Sequence, residues 1–455
     1  MEYHSALRYL YGLVDYEKQR IERYSPEEFR LDRVAEFLAQ LGTPQGAYPK
    51  IHVAGTKGKG STAAMLASVA QEANLKVGLY TSPHLHTYRE RMRINGEPIS
   101  RSEMTALVEE IQPVVETIPG LTMFEVTTAL AFLYFARQKI DLAVIEVGLG
   151  GRLDATNVIT PLVSIITSLS LDHTYLLGDT LGEIAGEKAG IIKPGIPVVS
   201  APQRPEAQKV LEQAAGERQA PLTLVGNDWS WTPGSRSPDG QTLTVTRANS
   251  PSALDGEYQL PLIGTFQQEN AVTAIAALSI LQEQGASWVS QDVVHRGLKK
   301  TNWPGRMEVL NHDPLVIVDC AHNPYSVEVL RDSLELWFPE QRWVLIYGAS
   351  NDKDISGMLK ALLPISAHVV VTRSYHPRAS TPYMLADQCA ALGHGAEIAI
   401  NPNRALEQAC QHLKPGTGIL VAGSIFLAAD IRELWSKHDP RYLPQGDWED
   451  DPWQV

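Results

Sequence analysis

Cysteine is nearly missing from this chain: Cys320, Cys389 and Cys410 are the three in 455 residues. Their spacing suits neither a metal cage nor a disulfide framework, so the sequence predicts a reducing compartment. Long apolar runs are missing too. No stretch is long enough to span a bilayer, and Met1-Glu2-Tyr3-His4 opens without an apolar signal core. A cytoplasmic protein with no membrane partner is therefore expected. Positive charge is in deficit, with 39 lysines and arginines against 52 acids and a net charge of −13. That excludes a nucleic-acid partner, which would need a basic face, but leaves room for a local basic pocket for an anionic substrate. Internal repeats and low-complexity tracts are also lacking.

What is present is an ordinary globular composition, 44% hydrophobic and 20% charged, in a chain too long for one core. Apolar segments at Ile51–Ala54, Val77–Thr81, Leu142–Val147, Leu162–Thr167 and Pro197–Ser200 alternate with helical patterns such as Met123–Arg137. Residues 1–48 read as helices, with Leu31, Val34, Phe37, Leu38 and Leu41 at helical spacing and Gly42 as a terminator. Buried strands alternating with helices predict a mostly parallel sheet covered on both faces. Residues 222–263 break the rhythm, and Asp239-Gly240 suggests a hairpin in a small antiparallel appendage. Helix returns at Asn270–Gln282. After the breaker cluster Asn302-Trp303-Pro304-Gly305 the alternation restarts with Leu315–Asp319, Tyr325–Leu336, Trp343–Gly348, Ile355–Leu363, His368–Thr372, Glu397–Ile400 and Gly418–Ala422. The expected fold is α/β: a P-loop-containing, mostly parallel sheet domain with a small antiparallel appendage over residues 1–303, a second Rossmann-like α/β domain over 304–437, and an acidic tail over 438–455.

The segment Ile51-His52-Val53-Ala54-Gly55-Thr56-Lys57-Gly58-Lys59-Gly60-Ser61-Thr62 carries the chemistry. A strand runs into three glycines, two lysines and two hydroxyls, and then into the helix former Ala63-Ala64-Met65-Leu66-Ala67. Glycines let backbone N–H groups approach phosphate oxygens, and the new helix presents its positive dipole end. Lys59 would hold the terminal phosphates of ATP, and Ser61 or Thr62 would offer a hydroxyl to Mg²⁺. The match to the usual P-loop is imperfect: Val53 stands five residues before Gly58, and Gly60 separates Lys59 from Ser61. An ordinary glycine-rich turn is the plainer explanation of such a stretch. The lysines, hydroxyls and flanking elements together favour the cradle.

Further polar groups fall at the C-terminal ends of predicted strands, where ligands bind in open α/β sheets. Glu146 ends an apolar strand before the loop Gly148–Asn157, a placement that requires pairing or a metal. His173 follows the strand Leu162–Thr167 and could meet Glu146 over the phosphate loop as a second Mg²⁺ ligand, although a lone histidine after a strand is more often structural. Asp319-Cys320-Ala321-His322-Asn323-Pro324 is the matching feature of the second domain. Arg306 lies just past the interdomain breaker, where an arginine can reach a transferring phosphate. Taken alone, Arg306 and Lys188 are ordinary surface charges.

Taken in order, these segments resemble the folylpolyglutamate synthases, in the bacterial bifunctional form that also acts as dihydrofolate synthase. The similarity runs from Tyr9-Leu10-Tyr11 to Gly423-Ser424-Ile425-Phe426-Leu427 and includes Thr81-Ser82-Pro83-His84-Leu85, Glu90–Gly96, Glu187–Lys193 and Trp303–Arg306. The inserted Gly60 favours folate ligases over the related cell-wall Mur ligases. The resemblance implies an ATP-driven ligase in which a substrate carboxylate is phosphorylated and the amine of L-glutamate displaces phosphate. It implies dihydropteroate and reduced folates as acceptors, and a monomer. It assigns Gly55, Thr56, Gly58, Lys59, Gly60, Ser61, Thr62, Asn270, Arg306 and Asp319 to the nucleotide, with His322 near the γ-phosphate. Ser61, Glu146, His173 and a carbamylated Lys188 would hold Mg²⁺. Ser82, Pro83 and His84 would bind folate through a mobile loop, Asp154 and Ala155 would lie at the pterin side, and glutamate would enter near Ser424. Two positions depart from the family pattern: Lys57 where asparagine is usual, and Phe266 where histidine is usual. The rival readings are a UDP-muramyl amino-acid ligase and a nucleotide-binding regulator without ligase chemistry. A regulator has no use for Lys188, His173 and His322.

Overall fold

A computed structural model describes residues 1–14 and 29–436; the acidic tail expected over 438–455 lies outside them. The first sheet is assembled from β1 (Lys50–Ala54), β2 (Val77–Tyr80), β3 (Met92–Ile94), β4 (Glu97–Pro98), β5 (Leu142–Glu146), β6 (Val163–Ile166), β7 (Val198–Ser200) and β8 (Leu222–Leu224). Their spatial order is β4-β3-β2-β5-β1-β6-β7-β8. All pairings are parallel except those of β3 and β4, which form an antiparallel edge. The central strand β1 lies between β5 and β6, with Val53 opposite Glu146 and Ala54 beside Ile166.

Every residue of β1, β2, β5 and β6 is buried, which is why these strands are largely apolar on both faces, with Lys50, His52, Glu146 and Ser164 as the polar exceptions. Successive side chains serve opposite faces. Leu142 and Val144 pack with the helices Lys59–Glu72 and Thr265–Glu283, while Ala143 and Ile145 pack with Met123–Arg137 and the N-terminal helices. Each fully buried aliphatic chain of this kind contributes about 1.5–3 kcal/mol. The helix Met123–Arg137 has the ends expected from its pattern, set by a capping box between Thr122 and Glu125.

The antiparallel appendage consists of β9 (Trp229–Ser237), β10 (Gly240–Arg247) and β11 (Gly256–Leu260), in the order β11-β10-β9. Ser237 and Gly240 pair across the expected hairpin. The appendage starts later than anticipated, because Leu222–Leu224 extends the main sheet beside β7. Three residues are too few to display a period, so this strand merged with the irregular segment in the sequence pattern.

The second unit is a six-stranded sheet of β12 (Glu308–His312), β13 (Leu315–Val318), β14 (Arg342–Tyr347), β15 (Ser366–Val371), β16 (Glu397–Ile398) and β17 (Thr417–Ala422). Its order is β12-β13-β17-β14-β15-β16, parallel apart from the β12–β13 hairpin. Helices cover it on two faces around separate apolar clusters. The fold is thus α/β as expected. Among the described residues no helix is long and apolar enough to cross a membrane.

Candidate active site

The loop after β1 turns through Gly55 and Gly58, at φ 153° and 89°. At both positions glycine is required by space as well. A Cβ on Gly55 would lie 1.8 Å from Thr167 Oγ1, and one on Gly58 would lie 2.2 Å from Asn270 Oδ1. The amides of Thr56 and Lys57 donate to Ser168 O at 3.0 and 3.1 Å, tying the loop to the segment after β6. Gly58 is the N-cap of the helix Lys59–Glu72 and supplies no capping side chain. The first bond of this helix runs from Thr62 N–H to Gly58 O. The amides of Lys59, Gly60 and Ser61 therefore have no acceptor within the helix, which leaves an anion-binding end. Lys59 Nζ folds back onto Gly55 O at 3.2 Å.

A cleft of about 270 Å³ opens over this loop. From the first sheet it is lined by Gly55, Thr56, Gly58, Lys59, Gly60, Ser61, Ser82, Pro83, Glu146, His173 and Lys188. Asn270 and Phe266 reach it from the helix Thr265–Glu283, and Arg306, Asp319 and His322 from the second unit. Thr62 does not line it; its buried hydroxyl faces inward with no partner among the described residues. A neighbouring cavity of about 380 Å³ is lined by Ser82, Pro83, His84, Asp154, Ala155 and Ser424. The two cavities share Ser82, Pro83, Gly148, Leu149, His173, Arg306 and His322.

Burial dominates the electrostatics. It pushes the Glu146 carboxyl up to about 7, against the pull of Lys59 and of the Ser82 amide, which donates to Glu146 Oε2 at 3.3 Å. Burial, reinforced by the charge of Lys59, lowers the Lys188 ammonium to about 7. Burial also lowers His173 to about 4 and His322 to about 3, so both imidazoles are neutral near pH 7. His322 Nδ1 lies 2.8 Å from the carbonyl of Cys320. That carbonyl can only accept, so Nδ1 carries the proton and Nε2 is the bare acceptor. Asp319 is raised by burial, and its oxygens accept from the amides of Met307 and Ala321 at 2.6 and 2.7 Å. Asp154 accepts from the amides of Leu149 and Thr156, both at 2.9 Å, and so shapes its own loop.

Several lining residues take roles that the sequence does not reveal. Lys57 Nζ pairs with Asp172 Oδ2 at 2.9 Å, and the same oxygen accepts from Asn323 Nδ2 of the second unit at 3.2 Å. Burial opposes the charge of Asp172, but the Lys57 ammonium beside it holds this carboxyl well below its usual range. Phe266 packs onto the apolar core of the second unit, an accommodation a histidine would not share. Tyr375 and Arg378 line the far wall of the larger cavity with Lys353, and His376 stacks on Phe426 at 3.8 Å. These four wall residues come from two loops with no motif of their own. The pairing of basic residues with Asp352 and of Tyr375 with Asp430 becomes visible only in three dimensions.

Both units have counterparts among known proteins. Residues 53–278 match the Mur ligase middle domain, and residues 305–425 the Mur ligase glutamate ligase domain. The chain is 38% identical over 410 residues to the dihydrofolate synthase/folylpolyglutamate synthase of Bacillus subtilis, covering 89% of this chain and 94% of that protein. The Mycobacterium tuberculosis folylpolyglutamate synthase complexed with ADP superposes with a TM-score of 0.85 at 35% identity, over 95% of this chain and 99% of that one. A folylpolyglutamate synthase–AMPPCP–folate complex gives a TM-score of 0.80 at 30% identity, with the same two shares. With its strand-end cradle, its two joined cavities and this likeness over almost all its length, the chain belongs to the dihydrofolate synthase/folylpolyglutamate synthase family of Mur-type ligases.

Proposed function

We propose that this chain is an ATP-dependent ligase that adds L-glutamate to reduced folates and to dihydropteroate. The observation that carries the reading is the junction of the two cavities. The nucleotide occupies the cleft over Gly55–Ser61, the pteridine and its acid occupy the larger cavity, and the shared wall holds Arg306, His322 and His173. The relative solved with AMPPCP and folate holds both kinds of ligand at once.

In the reaction an oxygen of the substrate carboxylate attacks the γ-phosphorus, the bond to the β-phosphate oxygen breaks, and ADP leaves. The acyl phosphate formed is then attacked by the glutamate nitrogen; the C–O bond to phosphate breaks, an amide forms, and the nitrogen releases a proton. Lys59 and the free amides at the helix start hold the triphosphate, while Arg306 balances the charge moved between phosphates. Asn270 and Asp319 hold the rest of the nucleotide. His322, a neutral imidazole lowered too far to act as a base near pH 7, lies by the γ-phosphate with Nε2 bare, and the proton of the amine passes to the departing phosphate or to water. Ser82, Pro83 and His84, with Asp154 and Ala155, enclose the folate, and Ser424 marks the glutamate side.

Glu146, His173 and Ser61 form a donor set of carboxylate, neutral imidazole and hydroxyl that fits a Mg²⁺ ion retaining water. Lys188 fits only after chemistry of its own. A buried lysine lowered to about 7 offers the neutral amine that attacks CO₂, losing a proton and gaining a carbamate oxygen anion. When bound, Mg²⁺ would screen repulsion between carboxylate and phosphate. The same proposal divides the chain at 303/304 into an ATP-binding and a glutamate-ligase domain, acting as a cytoplasmic monomer.

Mass spectrometry of products tests it directly. With ATP and glutamate, dihydropteroate and tetrahydrofolate offered separately should each gain one glutamyl mass, with ADP released in step. ADP release that appears only with a UDP-muramyl acceptor, or no glutamate-dependent release at all, would overturn the reading.

A further inference from the structure

The outer edge of the second sheet holds a group that the ligase reaction leaves unused. His368 lies on β15, Glu397 opens the adjoining edge strand β16, and His412 is the C-cap of the helix Pro402–Gln411. In the β15–β16 register Val370 stands opposite Glu397, so His368, two residues away, projects from the same face. Both imidazoles converge on one carboxylate oxygen. His412 Nε2 is 2.8 Å from Glu397 Oε2, and His368 Nε2 is 3.3 Å from the same atom. The two rings stack with centroids 3.6 Å apart. The other carboxylate oxygen, Oε1, accepts from Gln408 Nε2 at 2.6 Å. The three donor atoms all lie within 4.8 Å of one another.

We propose that His368, Glu397 and His412 form a binding site for a divalent transition-metal ion, with Zn²⁺ the ion that their donors suit best. Two imidazoles and a carboxylate are the ligand types that Zn²⁺ shares with few harder cations. Bond lengths of about 2.1 Å in a tetrahedral site place neighbouring ligands roughly 3.4 Å apart, so the two nitrogen–oxygen separations are near what is needed, while the rings, stacked at 21°, must tilt apart to aim both lone pairs at the ion. Without the ion, the Nε2 protons point at Glu397; on binding they move to Nδ1 or to solvent, and the carboxylate stays ionised. Gln408 holds that carboxylate from behind, as ligating groups are commonly held. All three side chains are about one-third exposed. A fourth position is therefore open to water, and the ion has an entry path. The effect on the fold follows from where the ligands sit. β16 has two residues and pairs with one neighbour, the weakest attachment in its sheet. An ion would fasten it to β15 and to the helix end, coupling metal binding to the stability of that edge.

The test uses the full chain stripped of metal and titrated with Zn²⁺ by calorimetry, beside His368→Gln/His412→Gln, which keeps side-chain amides able to bond Glu397. The wild-type chain should take up one equivalent more than the double variant, and its melting temperature should rise with Zn²⁺ by an increment that the variant lacks. Either single substitution should weaken that equivalent more than about tenfold. Crystals of the wild-type chain grown with Zn²⁺ give an independent answer if a variant folds poorly: anomalous density should lie among the three donor atoms. Equal stoichiometry in wild type and double variant, or no anomalous density at this edge, would overturn the site and leave a hydrogen-bonded trio.

Discussion

Lys57 and Lys59 stand two residues apart and meet different surroundings, so their substitutions should separate. Among the described residues Lys59 makes one side-chain hydrogen bond, to Gly55 O, and it lines the cleft. Lys59→Ala should leave the melting temperature nearly unchanged while lowering turnover about 10²–10³-fold, the usual effect of losing one preorganised charge at a reacting phosphate. Glutamate-dependent ADP release measures it, and near-normal turnover would remove Lys59 from the mechanism. Lys57 is already neutralised by Asp172, so Lys57→Asn should keep kcat within about threefold and raise the KM for ATP modestly. An equal collapse in both variants would mean that Lys57, too, works on the phosphates. A third residue controls acid stability. His52, fully buried on β1, has Nε2 at 2.8 Å from Thr156 Oγ1, which in turn donates to Asp154. Its Nε2 therefore carries the proton, and Nδ1 has no partner among the described residues. Burial, with the charge of Lys193, lowers its pKa from 6.5 to about 3. Between those values the unfolded chain binds a proton that the folded chain refuses, so stability is full above pH 6.5 and falls as pH drops toward 3. The slope is at most about 1.4 kcal/mol per pH unit. His52→Asn should be less stable than wild type at pH 7.5 and should lose less between pH 6.5 and 4 in thermal melts. Parallel curves would refute the assignment.

The helix that bears the cradle is held by a neighbour as much as by its strand. Gln291–Lys300 packs along Lys59–Glu72, and Gly297 is the contact point: a Cβ there would lie 2.3 Å from Val69 Cα, and its carbonyl accepts from Ser68 Oγ at 2.7 Å. Backbone cannot yield as a side-chain tip does, so Gly297→Ala should force the helices apart at a cost of about 1–3 kcal/mol. Urea unfolding should report that loss with an unchanged m-value, and KM for ATP should rise because the start of the helix shifts with it. An unchanged unfolding midpoint would place the close approach elsewhere. Elements differ in how plainly they were written in the sequence. The cradle was legible because strand, glycines, lysine and helix are contiguous from Ile51 to Ala67, and the buried parallel strands because both their faces are apolar. The edges were not. β3 enters the sequence reading only within the family segment Glu90–Gly96, and β4 has no signal of its own, although Asn95-Gly96, both at positive φ, is a hairpin signal. β12, with Glu308, Asn311 and His312, is half-exposed and polar, so it has no apolar face to reveal a period. The same reasoning explains the site. Residues within one strand-end loop were recognisable, whereas Lys353, Tyr375 and Arg378 acquire meaning only when their loops meet across the larger cavity.

At the scale of the whole molecule the site exists only while the two sheets face each other, and named side chains hold them so. Arg432, buried against Glu308 in the second unit, donates to His86 of the first unit, an imidazole that burial keeps neutral and able to accept. Asn323 of the second unit donates to Asp172 of the first, beside Lys57. Asn323 also caps the helix Pro324–Trp337 through the Ser326 amide at 2.8 Å. Truncating it to alanine would therefore mix two effects, because a lost cap alone costs about 1 kcal/mol. Asn323→Asp separates them. Aspartate caps a helix as well as asparagine does, yet here it sets a second carboxylate against Asp172, which its neighbours keep ionised. Like charges at that separation favour a wider cleft, with Lys57 left to compensate for both. The variant should melt like wild type, show a larger radius of gyration by X-ray scattering without ligands, and compact when a non-hydrolysable ATP analogue and folate are added together. Its KM values for ATP and folate should rise several-fold while kcat at saturation changes little, because binding energy is diverted into closing the cleft. Scattering curves and KM values identical to wild type would mean that other contacts, Arg432 with His86 and Phe266 on the second unit's core among them, hold the two units without Asn323, and that Asp172 serves only the phosphate loop.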